Sequence, residues 1–155
     1  MTYPHAMDVF RRMDGLDALR AMQRGETPQT PVGLWMNFTL EEADRGKVTF
    51  AMEPREELYN LIGSVHGGII TALMDTALGT AVQSVLPAGK VATTMDLHTR
   101  FHRPVTVATG KVYARAHVVH VGRRTGTSQA ELIDESGRVY ATGTSTLMIL
   151  EDAPG

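Results

Sequence analysis

The sequence predicts an α+β fold in which a curved antiparallel sheet wraps around one long central helix, with a helical extension in front. Three observations predict it. From Ile69 to Val85 runs the longest mostly apolar stretch, opened by Gly67-Gly68, and a helix apolar on nearly every side is a buried helix. Two segments before it and four after it alternate apolar and polar residues with the period of a strand. The later segments are joined by short turns, which favours antiparallel neighbours, and a sheet covering one helix is an α+β arrangement.

Each element has its own local reason. Met7 to Arg24 carries Phe10, Met13, Leu16 and Leu19 at three-residue steps, a helical pattern that Asp14-Gly15 can split and Gly25 can stop. Gly25 to Pro31 reads as a linker from its glycine and prolines. Residues 1–31 are therefore expected to form an extension and linker, and residues 32–152 the sheet-and-helix domain. Leu34 to Leu40 and Lys47 to Met52 then alternate as a hairpin about Ala43-Asp-Arg-Gly46. Arg55 to Tyr59 reads as a helical turn or loop leading to Asn60. Beyond the helix, Pro87-Ala-Gly89 breaks the chain. Val91 to Arg103 follows as a long strand, with Thr94, Asp96, His98 and Arg100 expected on one face and Met95, Leu97, Thr99 and Phe101 on the other. Thr109 to Val121, Arg124 to Ile133 and Arg138 to Leu150 complete the sheet, the last two joined by the turn Asp134-Glu-Ser-Gly137.

Composition narrows the function classes. At 155 residues the chain is one domain with a real core. A net charge of −2 gives no electrostatic footprint for nucleic acid or an anionic membrane. Without cysteine there is no disulfide, thiolate nucleophile or Cys-ligated metal. The N-terminus lacks the continuous apolar core of a signal peptide, and the apolar run is too short and too broken for a bilayer span. A cytoplasmic protein is expected.

The chemistry-bearing residues cluster around that run. Asp75 has Thr71, Ala72, Leu78 and Gly79 at helical spacing and no basic neighbour there, and an unpaired buried carboxylate is rare. It either caps another segment or has chemistry to do. Asn60 and His66 flank the glycine pair. His98 and His102 on one strand would stand ~13 Å apart, too far for one metal, so no metal site is expected. Gly63-Ser64-Val65-His66 is not a serine-hydrolase elbow. Methionines 36, 52, 74 and 95 are core filler or the lining of an adaptable pocket.

Asn60, His66-Gly67-Gly68, Asp75 and Thr94-Met-Asp96-Leu together resemble the hotdog-fold acyl-CoA thioesterases of the phenylacetic-acid-degradation (PaaI-like) group, over Gly33 to Leu150. That resemblance implies a hotdog fold and subunits paired so that two sheets become one, with active sites at the interface. It implies that Gly67 supplies a backbone N–H to the thioester carbonyl and that Asp75 is the nucleophile or general base. It gives Asn60 the orienting of substrate or water, and Thr94 the place where the group has Ser or Thr, with Thr93 as the alternative if the strand slips. Gly68 opens the helix start to substrate, and Arg123-Arg124 would meet the nucleotide phosphates of coenzyme A; a solvated edge is the other reading of that pair. His66, counted among the catalytic candidates, is expected to hold the helix entry by hydrogen bonds, with direct acid–base work as its other reading. The resemblance implies no cofactor beyond the coenzyme A of the substrate.

Physical chemistry agrees with this assignment. A helix N-terminus offers unpaired N–H groups to an oxygen gaining charge, and glycine lets the acyl group approach. Yet Asp75 lies about 12 Å along the helix from Gly67, beyond reach of one carbonyl. The pair can form a site only between two copies, so a homodimer with two composite sites is expected, with a dimer of dimers open. A hotdog hydratase or a non-catalytic acyl-CoA-binding module is the alternative function. An aryl-acetyl, straight-chain or hydroxybenzoyl acyl group remains open.

Overall fold

The computed structural model describes residues 7–151. The helical segment at the front splits where Asp14-Gly15 predicts, into α1 (Met7–Arg12) and α2 (Gly15–Gln23). This extension is docked on the chain's centre. The Gly15 N–H donates to the Leu86 carbonyl at 2.9 Å, and Asp14 Oδ1 accepts from the Ala88 N–H at 2.9 Å. A methyl group at Gly15 would stand 1.8 Å from the Gln83 carbonyl oxygen, so only glycine permits this approach.

The strand expected over Leu34 to Leu40 starts later. Pro31–Met36 is a helix, α3, and β1 runs Thr39–Asp44. Local chemistry explains the correction: the Thr30 hydroxyl accepts from the Gly33 N–H at 3.2 Å, Pro31 sits at the first helical position, and Asn37 ends the helix at φ 57°. A capping threonine followed by proline is a helix start. The hairpin itself forms, turning at Gly46 (φ 76°) into β2 (Lys47–Met52).

One helix, α4 (Gly67–Gln83), crosses the inner face of a six-stranded antiparallel sheet. The remaining strands are β3 (Lys90–Phe101), β4 (Val112–Val121), β5 (Thr125–Asp134) and β6 (Val139–Glu151). Their order is β1-β2-β4-β5-β6-β3. The hotdog arrangement is present, but β3 and β4 are not joined by a short turn. β3 lies at the far edge beside β6, and the chain returns across to β4, which pairs with β2. Leu73, Met74, Ala77, Leu78, Ala81 and Val82 of α4 are fully buried, packed on alternate residues of the strands such as Phe50, Met52, Val112, Ala114 and Leu132. Met36, Met52 and Met74 belong to this core, while Met95 is exposed on β3.

α4 is not buried all round within the protomer. Gly68 is exposed, and Thr71, Ala72, Asp75, Thr76, Gly79 and Thr80 are half-buried along one stripe. Beside that stripe lies β3, paired only through β6, its other edge free among the described residues. A twelve-residue strand edge and a half-buried helix face therefore lie side by side.

Candidate active site

The helix entry is set by His66. Its Nδ1 accepts from the Gly68 N–H at 2.9 Å, and its carbonyl accepts from the Ile69 N–H at 2.9 Å. Acceptance at Nδ1 places the proton of the neutral ring on Nε2. The second and third amides of α4 are thereby satisfied, whereas the Gly67 N–H meets no acceptor among the described residues. One donor is left pointing out of the positive end of the helix. This matches the expected helix-entry role of His66, and it shows that Gly68 has no amide to offer.

Asn60 works on the loop beside it. Oδ1 accepts from the Ile62 N–H at 3.0 Å and the Ser64 N–H at 3.3 Å, and Nδ2 donates to Ser64 Oγ at 3.2 Å. The side chain therefore folds residues 60–64 into a tight loop, closed by the Tyr59–Val65 bridge. Asn60 and Gly67 border the same depression of about 390 Å³. Phe101, which the sequence did not single out, shares it; a methyl on Gly67 would stand 3.1 Å from its ring.

Asp75 lies two turns further on, half-buried. Thr94 donates its hydroxyl to Asp75 Oδ1 at 2.8 Å, which brings Thr94, not Thr93, to the acid. Oδ2 accepts no hydrogen bond among the described residues. Two threonines beyond Asp75 on the helix are engaged: Thr76 and Thr80 turn their hydroxyls back onto the carbonyls of Ala72 and Thr76.

Thr94 and Phe101 both face α4, although strict alternation puts them on opposite faces. The register with β6 slips between Thr94 and Asp96, leaving Met95 as a bulge. Asp96 takes the gap by accepting from the Thr146 N–H at 3.0 Å. A bulge reverses the facing of every later residue, so Thr94 does not share its face with Asp96, His98 and Arg100. This corrects the expected single alternation of the strand.

Within one protomer the groups stay apart. Gly67 and Asp75 lie on one uninterrupted helix, about 12 Å apart along its axis. Arg123 and Arg124 are exposed in the β4–β5 turn. The Arg124 carbonyl accepts from the Ile149 N–H, and Thr125 is in register with Met148, itself opposite Thr93. The arginine pair thus lies two strands across from the Thr94 level and far from Gly67. Nearby, Lys90 hydrogen-bonds Glu151 and holds its carboxyl below the usual range, with Arg123 a lesser influence. Among the described residues no three His, Cys, Asp or Glu side chains gather as a metal set.

Comparison with known proteins follows the same outline. The family model described as the thioesterase superfamily matches residues 62–141. A candidate esterase of Halobacterium salinarum is 34% identical over 130 residues, covering 76% of this chain and 83% of its own length. The acyl-coenzyme A thioesterase 13 of Homo sapiens is 26% identical, covering 84% of this chain and 90% of its own. A solved phenylacetic acid degradation-related protein of Ralstonia eutropha superposes with a TM-score of 0.76 at 27% identity, over 83% of this chain and 97% of that one.

Proposed function

Because this chain belongs to the thioesterase superfamily and is a thioester hydrolase, we propose that it cleaves acyl-coenzyme A into coenzyme A and a carboxylic acid at sites shared between two copies. The observation that carries this reading is the unsatisfied Gly67 N–H at a helix start, on the same helix as an acid too distant to help it. An antiparallel copy laid along the uncovered stripe of α4, with β3 edges adjoining, sets Asp75 of one chain against Gly67 of the other. A further pairing of dimers is compatible with it.

In this reading the Gly67 amide and the helix dipole stabilise the carbonyl oxygen as it becomes an oxyanion. Thr94 holds Asp75 through Oδ1, leaving Oδ2 to act. As general base, Asp75 takes a proton from water while the water oxygen bonds to the carbonyl carbon; the C–S bond then breaks and the thiolate recovers the proton. As nucleophile, the Asp75 carboxylate bonds to the carbonyl carbon and the C–S bond breaks, releasing the thiolate and leaving a mixed anhydride; water then cleaves the anhydride to the free acid and the Asp75 carboxylate, and its proton goes to the thiolate. Asn60 and His66 act by holding the loop and the helix start. Arg123 and Arg124, at the Asp75 end of the sheet, suit the phosphates of the nucleotide.

Gly67→Pro tests the composite site, because proline removes the N–H yet is tolerated at a first helical position. Gly67→Pro and Asp75→Asn alone are each expected to lower thiol release from acyl-CoA by about a hundredfold or more. Randomly mixed chains are expected to recover about a quarter of the sites. No recovery in heterodimers verified by native mass spectrometry overturns the shared site, and acyl-CoA binding without thiol release by the unaltered protein overturns the activity.

A further inference from the structure

We infer that Thr71 is a positioning residue that holds the hydrolytic water against Oδ2 of Asp75; this rests on the shared-site reading of Gly67 and Asp75. Among the described residues, Thr71, Thr76 and Thr80 are the threonines along the half-buried stripe of α4. Thr76 and Thr80 donate to the carbonyls of Ala72 and Thr76, the usual refuge of a hydroxyl inside a helix. Thr71 has the Gly67 and Gly68 carbonyls at the same spacing, yet its hydroxyl makes no hydrogen bond among the described residues. That hydroxyl is open to water.

Thr71 stands one turn before Asp75 on the same helix face, the two Cβ atoms about 5–6 Å apart. One water with hydrogen bonds of about 2.8 Å on either side spans from Thr71 Oγ1 to Oδ2 of Asp75, the oxygen that Thr94 leaves free. The water donates one hydrogen to each, which aims its lone pairs at the carbonyl carbon held on the partner's Gly67. Oδ2 takes the proton as the water oxygen bonds to that carbon, and no bond to Thr71 forms or breaks. In the antiparallel arrangement residue 71 is midway between 67 and 75, so Thr71 lies beside the two-fold axis and is covered when the copies close. A hydroxyl covered there needs a hydrogen-bond partner, and the water of the site supplies it.

Thr99 provides the control. It lies on the β3 face that Phe101 turns to α4, between the Thr94–Asp75 and Phe101–Gly67 contacts. Its Oγ1 is buried without a partner among the described residues, out of reach of water.

The test is steady-state thiol release from acetyl-, hexanoyl- and phenylacetyl-CoA, with the dimer mass followed by sedimentation. Thr71→Val is expected to lower kcat about tenfold with KM within about twofold, and Thr71→Ser to restore most of it. Thr71→Ala carries the same expectation should valine crowd the two-fold axis. Thr99→Val is expected to keep kcat within about twofold. An unchanged kcat in both Thr71→Val and Thr71→Ala, a serine variant no better than valine, an equal loss in Thr99→Val, or a weakened dimer as the sole effect overturns this inference. Silence of the unaltered protein toward every acyl-CoA instead overturns the activity, and failure of Gly67→Pro to complement Asp75→Asn overturns the shared site.

Discussion

The hydroxyl of Thr94 on edge strand β3 donates to Oδ1 of Asp75 on α4 across 2.8 Å, tying the one acid of the helix to the strand that is free to pair. A hydrogen bond to a charged group contributes about 1.5–3 kcal/mol. Thr94→Val is therefore expected to lower kcat roughly tenfold to a hundredfold with little change in KM, and Thr94→Ser to restore most of it. Steady-state thiol release with both variants is the check.

Asp75→Asn keeps the shape and removes the carboxylate proposed as base or nucleophile. Positioned proton transfer is worth about 10²–10⁴-fold, so kcat is expected to fall by that order while the melting temperature holds. Single turnover in ¹⁸O-water tests the nucleophilic role: label entering Asp75 marks the nucleophile, and label in the product alone excludes attack of water on an anhydride at the Asp75 carbon.

His66→Ala deletes the side-chain cap on Gly68. Loss of such a cap costs about 0.5–2 kcal/mol, and the helix start that holds Gly67 loosens with it. His66→Asn is expected to recover the stability, because asparagine caps equally well. Urea unfolding of both variants, compared at constant m-value, decides this.

Gly15→Ala forces a methyl onto the Gln83 carbonyl. Overpacking of this kind costs about 1–3 kcal/mol, and here the intruding neighbour is backbone that cannot rotate away. A lowered urea midpoint is the expected outcome; an unchanged one means that the extension does not depend on this contact.

The Lys111–Glu41 ion pair at 2.8 Å predicts a small pH effect. The hydrogen bond that Glu41 accepts from Lys111, and then that from Thr39, hold the Glu41 carboxyl below its usual range. That stabilisation is full above the unfolded carboxylate pKa and is lost as pH falls through the lowered folded value. Glu41 in turn raises Lys111, whose contribution is full below the ordinary lysine range and is lost as pH rises through the raised value. Both side chains are partly exposed, so the pair is worth under about 1 kcal/mol. Lys111→Met is expected to flatten the acid limb of stability against pH by no more than that.

Much of this was legible residue by residue. The run from Gly67, the lone Asp75 and the alternation of the strands fix a helix on a sheet and an acid on that helix, because periodicity and charge act over a few neighbours. Thr30-Pro31 carried a helix-start signal that the alternation of Leu34 to Leu40 masked. The free Gly67 amide follows from His66 capping Gly68, and that depends on rotamer and tautomer, which no spacing states.

The sequence by itself determined the central helix, the strands other than the one expected over Leu34 to Leu40, and the distance that keeps Gly67 from Asp75 within one chain. Only the tertiary structure decided that β3 leaves β4 for the far edge, and that a bulge at Met95 turns both Thr94 and Phe101 toward the helix. The physical reason is that strand order and register are set by pairing between residues distant in the chain. Thr94 reads Leu147 and Asp96 reads Thr146, a one-residue slip that no local pattern around Met95 records.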